Sequence, residues 1–345
     1  MNTIKKLISQ LFFFLIVFST ISNFLTYTYC VEEYTGEIEH LVVSGIISYP
    51  SVFSSAKNST ILEEENITSN EFSKILKSLY KNDYILVKPS ECFESKNNII
   101  ERKSLFIPKG KKPLILSIDN ISYGKVGQVN KLILNEDGKV FSYTSKRSIN
   151  ERIHNDKEFI TILEEFIDEH KDFSHNNAKG LILVSGNKGM FGYKTQKTNA
   201  NSKYQVKKCA EIISTLKNNG WEFCAKNYNE NKLNSNNMDF ASGINKWNNN
   251  VKTIIGNTIF YSFSENYELV EDLEYKSNLL INCGFKVFLN ENFETKTYTD
   301  QKFSNALIMN VKKINGVALR KHRNEFLNMF DSEIIYDRLN RKIPF

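Results

Sequence analysis

Residues 113–120 read PLILSIDN. Six residues without a charge, four of them aliphatic, end abruptly in Asp119. A strand that is apolar on both faces belongs in a parallel sheet covered on both sides. A carboxylate directly after such a strand stands at the end where parallel α/β folds place their chemistry. This stretch therefore predicts a buried parallel strand with Asp119 at its functional end.

Working outward, the same logic recurs. Leu41–Ile47 (LVVSGII), Tyr84–Val87, Gly180–Ser185 (GLILVS), Trp221–Ala225, Thr258–Tyr261, Phe285–Leu289 and Ala306–Asn310 are further strand candidates. Helical periodicity falls between them. One helix has Phe72, Ile75, Leu76 and Leu79 on a face, with Ser69 as its expected cap. Others begin at Asp156 and run over Tyr204–Asn218, Met238–Val251, Leu269–Ile281 and Arg323–Phe330. Asp137-Gly138 between Val129–Leu134 and Lys139–Tyr143 signals a hairpin. Residues 51–68 and 88–112 read as polar loops. Strands alternating with helices predict βα units, and about seven or eight of them favour a (β/α) barrel over an open sheet.

The N-terminus has a different character. Lys5 and Lys6 precede an apolar run from Leu11 to Leu25, the pattern of a signal peptide or an N-terminal membrane anchor over residues 1–30. Leu7–Tyr29 is long enough to span a bilayer, with the lysines cytoplasmic and the remainder extracytoplasmic, anchored or secreted. Tyr29 precedes Cys30 where a lipidation signal wants a small residue. Residues 31–40 read as a spacer, and 41–345 as one domain.

The chain has 345 residues and a net charge of +6, with basic residues dispersed along it. Dispersed charge without a recognition motif argues against nucleic-acid binding. The five cysteines form no CxxC pair, so neither a zinc ribbon nor a disulfide framework is indicated. His40, His154, His170, His175 and His322 include no i,i+4 pair and read as surface or capping residues. Cys224 has no neighbouring histidine to activate it and reads as a core thiol. The glycine-rich stretch from Gly186 to Gly192 lacks phosphate-loop spacing and reads as a βα loop.

Several segments, in order, resemble a clostridial-type branch of the polysaccharide deacetylase family, the family four carbohydrate esterases. They are NEFSKILKSLYKNDYILV (70–87), PKGKKPLILSIDN (108–120), KEFITILEEFIDEHKDFS (157–174), AKGLILVSGNKGMFGYKT (178–195) and AEIISTLKNNGWEFCAKN (210–227). IMNVKKINGVAL (308–319) and FDSEIIYDRLNR (330–341) also resemble that branch. The resemblance implies a deformed (β/α) barrel of the glycoside hydrolase/deacetylase type. It implies a divalent metal at the strand C-termini, polarising an acetyl carbonyl and activating water.

The family pattern has two adjacent aspartates, a base and a metal ligand, and a His-x-x-x-His pair of metal ligands. Here Asp119 keeps the base position. Asn120 replaces the ligand carboxylate, and Lys226 and Glu230 stand at the two histidine positions. A segment that resembles the family's oxyanion-site motif reads Tyr261-Ser262-Phe263-Ser264. A lysine ammonium has no lone pair and repels a cation. The expectation is an inactive, deacetylase-like exported protein without zinc or another metal cofactor. Lys226 would stand between Asp119 and Glu230, and the partner would be a cell-wall or other envelope glycan. Tyr193, Tyr228 and Tyr261, with Trp221, would line a sugar cleft. The alternative is an active hydrolase using Asp119 as base and Glu230 as acid or ligand, with zinc or another divalent metal.

Overall fold

A computed structural model describes residues 30–96, 99–119, 121–145, 147–196, 202–228, 236–263, 272–291, 301–303 and 305–345. Seven parallel strands close on one another. They are β1 (Glu39–Val43), β2 (Lys112–Ile118), β3 (Leu181–Val184), β4 (Glu222–Lys226), β5 (Phe260–Ser262), β6 (Val287–Glu291) and β7 (Ala306–Ile314). Each pairs with its neighbours in chain order. β7 returns to β1 through Lys312↔Leu41, and β2 meets β3 through Leu181↔Ser117. The barrel expected from βα alternation is therefore present.

Side chains alternate across the barrel wall, as strand geometry requires. Val42, Ile115, Leu181, Leu183, Cys224, Phe260, Val287, Leu289, Leu307, Met309 and Val311 pack into the interior. Their neighbours Leu41, Val43, Leu114, Leu116, Ile118, Ile182, Val184, Phe223 and Phe288 face the helices in the larger outer layer. That double burial is why PLILSI has no polar alternation. The covering helices are α1 (Ser69–Lys81), α2 (Phe159–Glu169), α3 (Ser202–Asn218), α4 (Asn237–Trp247) and α5 (Leu273–Asn282). Phe72 of α1 stacks on Phe159 of α2 with ring centroids 4.5 Å apart.

Several local expectations change. Residues 31–40 are not a spacer. Val31–Tyr34 pairs antiparallel with Leu105–Pro108, and β1 begins at Glu39. Residues 51–68 are not an open loop, because they hold two short helices, Val52–Ser55 and Ser59–Glu65. Thr68, not Ser69, caps α1. Its hydroxyl accepts from the Glu71 N–H, and the Glu71 carboxylate accepts from the Thr68 N–H.

Residues 88–112 are organised as well. The hairpin Phe93–Lys96/Ile99–Arg102 and the strand Leu105–Pro108 bring Phe93, Ile100, Leu105 and Ile107 against Ile38, Ile85 and Val87. Phe93 meets Phe260, the first residue of β5, at 6.0 Å, and Ser90 bonds Glu222, the first of β4. This segment thus seals the N-terminal end of the barrel.

His40 is not at the surface. It is fully buried in the barrel wall, with its Nε2 2.6 Å from the Ser117 hydroxyl. Burial drives its pKa down to about 3. Cys224 is a core thiol as expected, buried, and burial holds its pKa well above the ordinary value.

The C-terminus closes over the start of α1. Arg341 and Glu71 are both fully buried, joined through Nη2 and Nε at 2.7 Å each. Arg341 also donates to the Glu63 and Asn66 carbonyls. Among the described residues no helix is long and apolar enough to cross a membrane, and residues 1–29 lie outside them.

Candidate functional site

The site grows from the ends of two strands separated by a third. Asp119 follows β2 with the inward parity of Ile115 and Ser117, and its N–H donates to the Val43 carbonyl at 2.9 Å. Lys226 closes β4 with the inward parity of Cys224. Both side chains lean over the end of β3 and meet. The Lys226 Nζ lies 2.7 Å from each oxygen of Asp119, and both groups are buried. One ammonium donating to both carboxylate oxygens is a charge-assisted, geometrically fixed pair.

A second pair stands in the same mouth. Glu291 ends β6, and Lys313 lies on β7 at the inward parity of Met309 and Val311. The Lys313 Nζ is 2.8 Å from the Glu291 carboxylate. Burial pushes the Glu291 carboxyl above its ordinary range, and Lys313 pulls it partly back. Asp119 and Lys226 act on the same carboxyl with opposite signs. Among the described residues, the mouth therefore brings Asp119, Glu291, Lys226 and Lys313 within electrostatic reach of one another. Sequence reasoning missed Glu291 and Lys313 because it ended their strands at Leu289 and Asn310. The signal was present: residues 287, 289, 291 and 307, 309, 311, 313 share inward parity once the strands are extended.

Beside Asp119, Tyr123 donates through its hydroxyl to Glu158 at 2.6 Å. Glu158 also caps α2 by accepting from the Thr161 N–H at 2.7 Å. Burial raises the Glu158 carboxyl, and it raises the Tyr123 phenol well above its ordinary value. Asp119, Ser48, Gln128, Tyr123 and Glu158 share the wall of a cavity of about 10 Å³. That is room for one water-sized molecule.

The three tyrosines expected at a cleft are buried. Tyr261 is wholly buried, wedged among Phe240, Phe263 and Phe285. Tyr228 is buried in the outer layer. Tyr193 is buried and donates to the Leu132 carbonyl at 2.8 Å. Trp221 is also buried, its indole N–H donating to Glu164 at 2.7 Å. Asn120 and Glu230 lie outside the described residues.

The described residues do not fit a divalent cation. Both oxygens of Asp119 are committed to an ammonium, which supplies positive charge where a metal would bring its own. Among the described residues no three His, Cys, Asp or Glu side chains converge as ligands. A cavity of about 690 Å³ opens at the opposite end of the barrel, between Glu222, Thr258 and Gly284. That end of a parallel barrel ordinarily serves stability.

No protein-family model matches the chain, and no curated protein does. Among solved structures it is similar to the Streptococcus pyogenes deacetylase PplD in complex with acetate, at 13% identity and TM-score 0.44, over 81% of this chain and 93% of that one. It is similar to BA0330 from Bacillus anthracis, a candidate polysaccharide deacetylase, at 11% identity and TM-score 0.43, over 83% of this chain and 66% of the other. It is also similar to IcaB from Ammonifex degensii, at 10% identity and TM-score 0.43, over 85% and 97% of the two chains. These likenesses are weak, and the fold class of this chain rests on the closed strand order and its registers.

Proposed function

We propose that this chain is an exported, deacetylase-like barrel that binds an envelope glycan and does not hydrolyse it. The observation that carries the reading is the Lys226 ammonium, held by both oxygens of Asp119 at 2.7 Å. In the family it resembles, the base must be free to take a proton from a metal-bound water. A carboxylate neutralised by a tethered ammonium is a poor base. Lys226 supplies the positive charge without Lewis acidity, because an ammonium has no open coordination position. The Glu291–Lys313 pair repeats the same logic across the mouth.

The test is metal analysis of purified protein together with acetate release from N-acetylated oligosaccharides, with and without added zinc. The expected result is substoichiometric metal and no acetate above the enzyme-free rate. Stoichiometric zinc with turnover would overturn the reading in favour of hydrolysis through Asp119 and Glu230. Sedimentation with insoluble peptidoglycan checks the binding half, and protease accessibility in intact cells checks export.

A further inference from the structure

The apolar N-terminal run is followed directly by paired backbone. Tyr29 ends the stretch read as an anchor, and the Cys30 carbonyl already accepts from the Lys109 N–H at 2.8 Å. Val31–Tyr34 then pairs with Leu105–Pro108 from its first residue, Val31↔Pro108. The partner strand belongs to the segment that seals the N-terminal end of the barrel, where Leu105 and Ile107 pack with Ile38 and Ile85. The run is therefore joined to the base of the barrel, at the opposite end from Asp119. The join is short. Between Leu25 and Val31 stand five residues, Thr26–Cys30. Fully extended, they bridge at most about 20 Å, and part of that length crosses the headgroup layer.

The outer face of this two-stranded sheet suits a lipid surface. Strand parity puts Val31, Glu33, Phe106 and Pro108 on it, while Leu105 and Ile107 turn to the core. Val31 is 53% exposed and Phe106 is 54% exposed. Aromatic rings settle at the headgroup level of a bilayer, a preference that Tyr27 and Tyr29 at the end of the run share. Glu33, the carboxylate on this face, accepts from the Ser104 hydroxyl at 2.6 Å. Its charge sets the depth of contact, because a carboxylate stays out of hydrocarbon. Phe106 then rests among headgroups rather than in the acyl core. Lys103 and Lys109, exposed at the two ends of the partner strand, lay their stems along such a surface and keep their ammonium groups in water.

We infer that this face rests on the lipid bilayer that residues 7–29 span, and that the Asp119–Lys226 mouth opens away from the membrane. β2 starts at Lys112 at the base and leads to Asp119. At about 3.3 Å per residue, the mouth stands roughly 20 Å above the base. A flexible spacer over residues 31–40 would let the barrel turn in any direction. The pairing of Val31–Tyr34 removes that freedom, because the short tether pulls on the base itself. The inference rests on the export reading above, in its anchored form, and adds to it a partner surface and an orientation.

Fluorescence quenching by brominated lipid tests this, with the full chain reconstituted into phosphatidylcholine vesicles. Trp221 and Trp247 are buried and give a constant background. Phe106→Trp and Val31→Trp each place an indole on the face. Val126→Trp places one on the loop after β2, at the mouth end, where Val126 is 61% exposed. The added emission of Phe106→Trp and Val31→Trp should be quenched at least about twofold more than that of Val126→Trp, since only the first two rings reach the headgroup level. Circular dichroism of each variant checks that it is folded. In vesicles that carry the protein, quenching at Val126→Trp equal to or above that at the other two would overturn the docking face and leave the anchor standing. Failure of the full chain to float with vesicles would overturn the anchor and the inference with it. Peptidoglycan sedimentation and acetate release judge the glycan reading independently of either result.

Discussion

The pair that carries the proposed function joins residues 107 apart in the chain. Removing one member of a buried pair leaves an uncompensated charge, at a cost of about 3–5 kcal/mol. Lys226→Met is expected to lose that much in urea unfolding. Asp119→Leu/Lys226→Met should regain most of it, because an apolar pair needs no partner. A loss under about 1 kcal/mol for the single variant would mean a loose surface pair instead. His40 sets a pH dependence of known sign. Its folded pKa is about 3, below the ordinary value of 6.5, so between those limits the unfolded chain takes up a proton that the folded one refuses. Stability is therefore expected to fall as pH drops from about 6.5 toward 3, by up to about 1.4 kcal/mol per pH unit. Unfolding midpoints at pH 4, 5, 6 and 7 check it, and His40→Leu/Ser117→Ala should flatten the slope. The lysine at 226 was singled out through the family resemblance, which implies a histidine there. The burial of His40 was not legible in the sequence, since nothing in a lone histidine announces an inward parity shared with a serine 77 residues away.

At the scale of elements, strands and helices were legible where their apolar pattern ran long. PLILSI and GLILVS are buried on both faces and could be little else. Boundaries failed where charged residues continue a strand, as at Glu291 and Lys313, because a charge at a barrel mouth looks like a loop in one dimension. Short elements in polar sequence failed too. Val52–Ser55, Ser59–Glu65 and Val31–Tyr34 owe their form to what they pack on, not to their own propensity. The clasp between α1 and the C-terminal tail belongs to this scale. Arg341→Met should cost about 3–5 kcal/mol by leaving Glu71 buried and unpaired. The measurement is a urea midpoint beside that of Arg338→Met, whose exposed pair to Glu333 should cost under about 1 kcal/mol. Thr68→Ala should cost about 1 kcal/mol through the capping box alone.

For the whole molecule, the buried Lys226–Asp119 and Arg341–Glu71 pairs join distant elements through the chain's own charges, and the proposed function has no metal in it. A ligand that binds only the folded state raises the melting temperature with its concentration. Neither chelator nor excess zinc is therefore expected to move the melting temperature of this chain, and a zinc-dependent rise in calorimetric scans would contradict that. The sequence by itself determined the barrel class, through strands apolar on both faces alternating with amphipathic helices, and it pointed to Asp119 at a strand end; the family resemblance added Asn120, Lys226 and Glu230 as the positions to watch. Only the tertiary structure decided that Lys226 reaches over β3 to Asp119, that Glu291 and Lys313 join them, and that Tyr193, Tyr228 and Tyr261 are buried. The reason is geometric. Burial on both faces is written into local composition, whereas contact across a barrel mouth depends on strand order, register and closure, which bring distant residues together without leaving a local trace in the sequence.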